Sequence, residues 1–320
     1  MNSYKPEGLL LRTAENYEAT HSLAALEKAM EQRRILESVA ILCDKSFALH
    51  VELGEGIMGI IPREEVQYSP LEPVKDIAIL TRVGKPVCFT VTGFTQNDNG
   101  EICAMLSRKS AQKECMEHYI RTLLPGDIVP CRVTHMESFG AFMDIGCGMI
   151  SLMTIDNISV SRISHPKERF HVGDILDAVI KTVDPSGRIY VSRRELLGTW
   201  EENAALFSPG ETVVGVVRSI ESYGVFVELT PNLAGLAEWK AGISVEDVAA
   251  VFIKSIIPEK MKIKLVIIDS HAPHSAVTKS GYVYPGTAPR HIDTWRYSPL
   301  SCEKIIESNF EPQPCIFGER

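Results

Sequence analysis

One short pattern occurs twice in this chain. Ser138-Phe139-Gly140-Ala141-Phe142 and Ser222-Tyr223-Gly224-Val225-Phe226 each join two runs rich in alternating apolar residues. Around the first copy, Ile128, Cys131 and Val133 lead in, and Met143, Asp144 and Ile145 lead out. A glycine inside a strand pattern marks a bulge or a sharp bend. The bend is expected to bring Phe139 and Phe142 together on the outer face of a curled sheet. The interior of a small barrel is then left to aliphatic residues, and Ile128, Val133, Ile145, Ile150, Ile175, Val179, Ile189 and Val191 are the candidates. Aromatics on a barrel face can stack unpaired bases.

The remainder of the unit follows the same reading. A strand restarts at Val172-Gly173-Asp174, Asp184-Pro185-Ser186-Gly187 has turn composition, and Arg188 to Ser192 forms a last strand. Arg188 leaves that turn where its guanidinium could meet a phosphate or a base. Asp184 stands across the turn as an acceptor for Arg188 or for a ribose hydroxyl.

The unit recurs. Gly210 to Val217 matches Gly126 to Val133, Glu221 to Leu229 matches Glu137 to Ile145, and Lys262 takes the position of Arg188 while Pro258 takes that of Asp184. A degraded copy precedes both. Phe47 stands for Phe139, His50 for Phe142, Cys103 for Arg188 and Asn99 for Asp184, with a turn at Asn97-Asp98-Asn99-Gly100. The spacing is about 92 and then about 84 residues, so whole domains repeat.

The runs G-D-I-V-x-C-x-V, S-F-G-A-F-M-D-I, G-M-I, F-H-V-G-D and D-P-S-G-R-I-Y-V-S together resemble the RNA-binding repeat of the ribosomal protein S-one family. The resemblance covers roughly three quarters of the chain. It implies a five-stranded OB-fold barrel whose two face aromatics match Phe139 and Phe142 and whose acid–base pair matches Asp184 and Arg188. The family often carries a His after its third-strand Gly-Leu-Val; read along the sequence, Ser151 and Glu238 stand there instead. The implied function is noncatalytic binding of single-stranded RNA, mRNA above all, in translation, by a short bacterial relative that meets the small ribosomal subunit. The implied RNA-binding residues are Phe139, Phe142, Asp184, Arg188, Arg194, Tyr223, Phe226 and Lys262.

The expected fold is mainly β: three tandem OB-fold barrels joined by short helices. Residues 1–32 form a helical arm, 33–108 the degenerate barrel, 109–124 a helical linker, 125–194 the second barrel, 195–208 another linker and 209–269 the third barrel. Residues 270–320 read as an irregular extension with one short helix near Cys302 to Asn309. In the arm, Ser22 to Met30 has helix formers at apolar i, i+3, i+4 spacing, with Thr20 or Ser22 as cap, and is expected to pack on the first barrel. Helical linkers make the array semi-rigid. The aromatic and basic stretch His291 to Pro299 either docks on a barrel or touches RNA, and docking is preferred because Trp rarely stays solvated.

Composition narrows the function. The net charge of −8 argues against a protein that coats duplex DNA by neutralising phosphates. It leaves single-strand binding through stacking and local basic groups, such as Arg188-Arg193-Arg194 and Lys254-Lys260-Lys262-Lys264; solvated strand edges are the alternative, and the matching places of both groups in two repeats favour binding. Eight cysteines without a CxxC pair suggest reduced thiols in a cytoplasmic protein. No apolar run is long enough to span a membrane, and the first residues do not read as a secretory signal. His271, His274, His291, Cys302 and Cys315 match no zinc spacing, and no metal, cofactor or catalytic residue is expected. In barrel 1 the missing basic group points to structure or protein contacts. A protein-interaction scaffold built on the same fold is the alternative.

Overall fold

The computed structural model describes residues 4–69, 74–97, 99–184, 188–272 and 290–310. Residues 185–187 of the Asp184 turn, Asp98 of the Asn97 turn, and the basic and histidine positions in 273–289 lie outside them. The chain divides into two compact units. The first is Met1–Leu123 with Pro130–Arg132 and Met143–Ser151; the second is Leu124–Val129, Val133–Phe142 and Leu152–Arg320.

The first unit opens with α1 (Ala14–Thr20) and α2 (Leu23–Glu31). Ser22 caps α2, its Oγ accepting the Ala25 N–H at 3.2 Å. Leu26 and Ala29 of α2 are buried with Leu36, Phe89 and Leu106, so the arm completes the first core. Five strands follow: β1 (Leu36–Cys43), β2 (Leu49–Glu52), β3 (Met58–Ile61), β4 (Pro86–Gln96) and β5 (Ile102–Ser107), with α3 (Asp76–Leu80) before β4. They close into a barrel in the order β1-β2-β3-β5-β4, in which β3 and β5 run parallel. The linker helix α4 (Arg108–His118) gives way to a 3-10 turn before Pro125 is reached.

The arm is tied to this unit by buried charge. Glu7 meets the fully buried Arg108 at 2.6 Å and accepts the Cys88 N–H at 3.0 Å, while its own N–H donates to Asp144 at 2.7 Å. Burial, reinforced by the Glu7 charge, pushes the Asp144 carboxyl up to about 7. Glu37 Oε2 accepts the N–H groups of Gly8, Leu10 and Leu11. Those bonds favour the carboxylate, yet burial wins and pushes its pKa to about 7.

The next strands are β6 (Ile128–Glu137), β7 (Gly140–Asp144), β8 (Ile150–Thr154), β9 (Ile175–Val183) and β10 (Ile189–Ser192), then α5 (Trp200–Ala204). They close in the order β10-β8-β7-β6-β9. The last barrel comprises β11 (Thr212–Glu221), β12 (Gly224–Thr230), β13 (Leu233–Ala237), β14 (Val248–Ile257) and β15 (Lys262–His271), in the order β11-β12-β13-β15-β14. Each barrel therefore has the same OB-fold-like circuit, with its third strand parallel to its fifth.

Two of the expected interior residues are not interior. Ile150 and Ile175 are exposed, while Ser151 and Leu176 beside them are buried. With a side-chain period of two, a one-residue error in phase moves a strand's whole apolar set to the wrong face. Val133, Ile145, Val179, Ile189 and Val191 are buried as expected.

The helix expected near Cys302 to Asn309 is absent. Residues Thr294–Arg296 (β16) and Glu307–Asn309 (β17) instead pair as a small antiparallel sheet. Trp295 and Tyr297 are buried in the third barrel's core with Val217 and Val227, and Tyr297 Oη donates to the Asn232 carbonyl at 2.5 Å. Phe310 packs with Val179 and Leu196. His291 Nδ1 lies 2.7 Å from Asp127 Oδ1, and the Ile128 N–H donates to the Arg290 carbonyl. Residues 290–310 thus dock on the second unit, and the Trp295 stretch is part of its core.

Candidate nucleic-acid interface

Two aromatic pairs stand on the barrel faces. Phe139 precedes β7 and is 53% exposed; Phe142 lies within the strand and is half-buried. Their rings meet edge-on, 6.0 Å apart and at 86°. On the third barrel Tyr223 is 68% exposed, and it meets Phe226 at 6.1 Å and 88°. Edge-on contact is a favoured aromatic geometry and leaves ring faces open. Gly140 and Gly224 make the arrangement possible. A Cβ on Gly140 would lie 2.4 Å from the Met153 carbonyl oxygen, and one on Gly224 would lie 2.5 Å from that of Ala237.

Sheet register shows what surrounds each pair. Phe226 lies opposite Leu236, and Leu236 opposite Lys264, so these three form a row across β12, β13 and β15. Lys262 is the first residue of β15, on the same outward phase as Lys264, and both are exposed. The sequence placed Lys264 in a basic group but not at the site; the ladder puts it closer to Phe226 in register than Lys262. In the second barrel Tyr190 stands opposite Leu152 as Lys264 stands opposite Leu236.

This register corrects one sequence equivalence. If Leu152 matches Leu236, then Thr154, not Ser151, stands where Glu238 stands. Ser151 is buried, and its Oγ donates to the Met143 carbonyl at 3.1 Å. Two glycines near Met149 obscured the correct phase in the sequence.

Asp184 and Arg188 are brought together through the backbone. The Arg188 N–H donates to Asp184 Oδ1 at 2.9 Å, and the Asp184 N–H donates to the Arg188 carbonyl at 2.9 Å. The carboxylate thereby shapes the turn, and Arg188 is exposed. Arg194 lies elsewhere. Its Nε faces Glu195 at 3.2 Å, Nη2 donates to Ser308 at 3.2 Å, and the guanidinium sits 5.9 Å from the Trp295 ring centre. It is engaged with the docked C-terminal segment, and the structure does not group it with the face residues.

Two further aromatic groups escaped the sequence reading. His135 on β6 is exposed and stacks on Phe142 at 5.9 Å and 27°. Trp239, just past β13, is 62% exposed, and the neighbouring Lys240 is held by the Ile268 carbonyl at 2.8 Å. The degenerate barrel differs. Phe47 packs against the first core beneath the Arg63 guanidinium, 4.9 Å from its ring centre. His50 Nε2 lies 2.9 Å from Asp44, opposite Ile60, which is opposite Met105; Cys103 is buried.

Among the described residues no group of His, Cys, Asp or Glu is placed to hold a metal, none of the seven described cysteines forms a disulfide, and no helix is long and apolar enough to cross a membrane.

Known proteins carry the same signature. Residues 123–194 match the model of the S1 RNA binding domain. The chain is 28% identical over 251 residues to small ribosomal subunit protein bS1 of Chlamydia trachomatis, covering 76% of this chain and 42% of that protein. It is 24% identical over 318 residues to the bS1 of Staphylococcus aureus, covering 97% of this chain and 76% of that one. The chain thus spans less than half the length of the chlamydial relative. A multidomain protein with nucleic acid binding domains from Streptococcus pneumoniae aligns over 74% of each chain at 16% identity and a TM-score of 0.23, too distant to carry an argument. Residues 123–194 are thus similar to the S1 RNA binding domain, and most of the chain is similar to bS1 proteins.

Proposed function

We propose that this protein binds single-stranded RNA, mRNA in particular, without catalysis and in connection with translation. The observation that carries the reading is the edge-on aromatic pair, exposed on a barrel face and repeated at the same place in two barrels. Bases stack on Phe139, Phe142, Tyr223 and Phe226, and stacking accepts any base, so sequence preference is slight. Arg188 and Lys262, joined by Lys264, hold the backbone. Arg194 is left out because its guanidinium is already engaged. Three OB barrels in tandem with a helical arm give the RNA two working faces. The first barrel, with Phe47 covered and Cys103 buried, serves structure or protein contacts. Association with the small ribosomal subunit follows from the relatives named for it.

The test is a titration of the full chain with an unstructured oligoribonucleotide at two salt concentrations, beside Phe142→Ala and Phe226→Ala. Salt-dependent binding weakened by each substitution is the expected result. Absence of RNA binding by the folded chain would favour the protein-interaction scaffold.

A further inference from the structure

The outer position beside the face aromatic differs in each barrel. On β1 and β11 a bulge interrupts the ladder, and the residue after it turns outward: Leu42 lies opposite His50, and Ser219 opposite Phe226. His135 stands as far before Phe142 as Ser219 stands before Phe226. Its ring lies nearly parallel to Phe142, while Phe139 meets that same ring edge-on. Glu137 Oε1 is 2.7 Å from His135 Nε2 and holds the imidazole in place. Both side chains are exposed, so the core does not require this arrangement.

We infer that His135 is a third stacking ring of the second barrel and contacts a base rather than a phosphate. The inference rests on the RNA-binding reading above. A near-parallel imidazole widens the π surface that Phe142 offers. The neighbouring Glu137 carboxylate disfavours an approaching phosphate, so the ring face is the part open to RNA. Ser219, its counterpart on the third barrel, offers no ring at this position.

The test is a reciprocal exchange in the full chain, titrated with an unstructured pyrimidine oligoribonucleotide at several salt concentrations. His135→Ser is expected to weaken binding by roughly fivefold or more, the lower end of the cost of losing one base–aromatic stack. The salt slope should be unchanged, because no phosphate contact is lost. His135→Phe should keep the affinity, and Ser219→His should raise it. Melting curves of all variants should overlay the parent. If Phe142→Ala weakens binding but His135→Ser does not, the inference fails and the RNA-binding reading stands. A salt slope reduced by about one in His135→Ser would show a phosphate contact and overturn the assignment to a base. Equal losses in His135→Ser and His135→Phe would overturn the stacking role. If Phe142→Ala leaves binding intact, the RNA-binding face itself is wrong and the inference falls with it.

Discussion

At the residue scale, two side chains separate binding from folding. Phe142 is only half-buried, and its ring meets those of Phe139 and His135. Phe142→Ala is expected to lose about 1–3 kcal/mol of RNA affinity. Its folding cost should stay well below the ~3–5 kcal/mol of a truncated core Phe. One titration and one thermal melt on the same variant decide between a platform and a core residue. Glu37 governs folding instead. Its carboxyl is raised from 4.5 to about 7 by burial first, with Glu7 adding to the effect. A raised folded-state value means the folded chain binds the proton more tightly than the unfolded chain. The stabilisation is therefore complete below about pH 4.5 and is lost as pH rises toward 7, a swing of at most ~3 kcal/mol. The melting temperature should fall between pH 5 and pH 7.5, and Glu37→Gln should flatten part of that fall. Asp144, raised in the same direction, accounts for what remains.

At the element scale, β12 shows how one strand serves both purposes. Its outward residues alternate between Phe226, on the face, and Glu228, which is buried. Glu228 meets Arg169 at 2.5 Å and Arg218 at 2.8 Å, and Arg218 also pairs with Glu168. These contacts fasten the segment before β9 to β12. Glu228→Ala would leave two largely buried guanidinium groups short of a partner. Removing one member of a buried ion pair costs about 3–5 kcal/mol, and a denaturant titration should show a loss of that size. RNA affinity per folded molecule should not change. The sequence displayed one strand clearly: Arg188 to Ser192, read as the last strand of its unit, is β10 (Ile189–Ser192). Alternation could not reveal the bulges. Carried on from Cys131 and Val133, it puts His135 inside, whereas the ring is exposed. A bulge leaves no distinct residue type behind, so its effect on facing appears only once the strand is paired.

At the scale of the whole molecule, the second unit extends further along the chain than its repeats suggest. Residues 290–310 supply Trp295, Tyr297 and Phe310 to its cores and pair with Gly126 and Ile128 through Ile292 and Arg290. A chain ended before residue 290 is expected to melt at a markedly lower temperature. Loss of three aromatic anchors, each worth ~3–5 kcal/mol when truncated in a core, is comparable to the whole stability of an ordinary domain. A fragment ended at Asp269 should therefore lose RNA binding through unfolding, while one carried to Phe310 should keep it. Circular dichroism of the two fragments, followed by RNA titration, tests this.

The local determinants of the barrels were present in the sequence. Gly140 and Gly224, the aromatic pairs beside them, the Arg188–Lys262 equivalence and the Ser22 cap are legible in short runs of residues and in their recurrence along the chain. Tertiary structure decided what depends on distant partners. It moved Ile150 and Ile175 outward, turned Ser151 inward, engaged Arg194 with Glu195 and Ser308, and gave Trp295 a core. It also set His135 on Phe142. Strand phase and long-range docking are fixed by which apolar surfaces meet, and a side chain's facing follows from that meeting rather than from its neighbours along the chain.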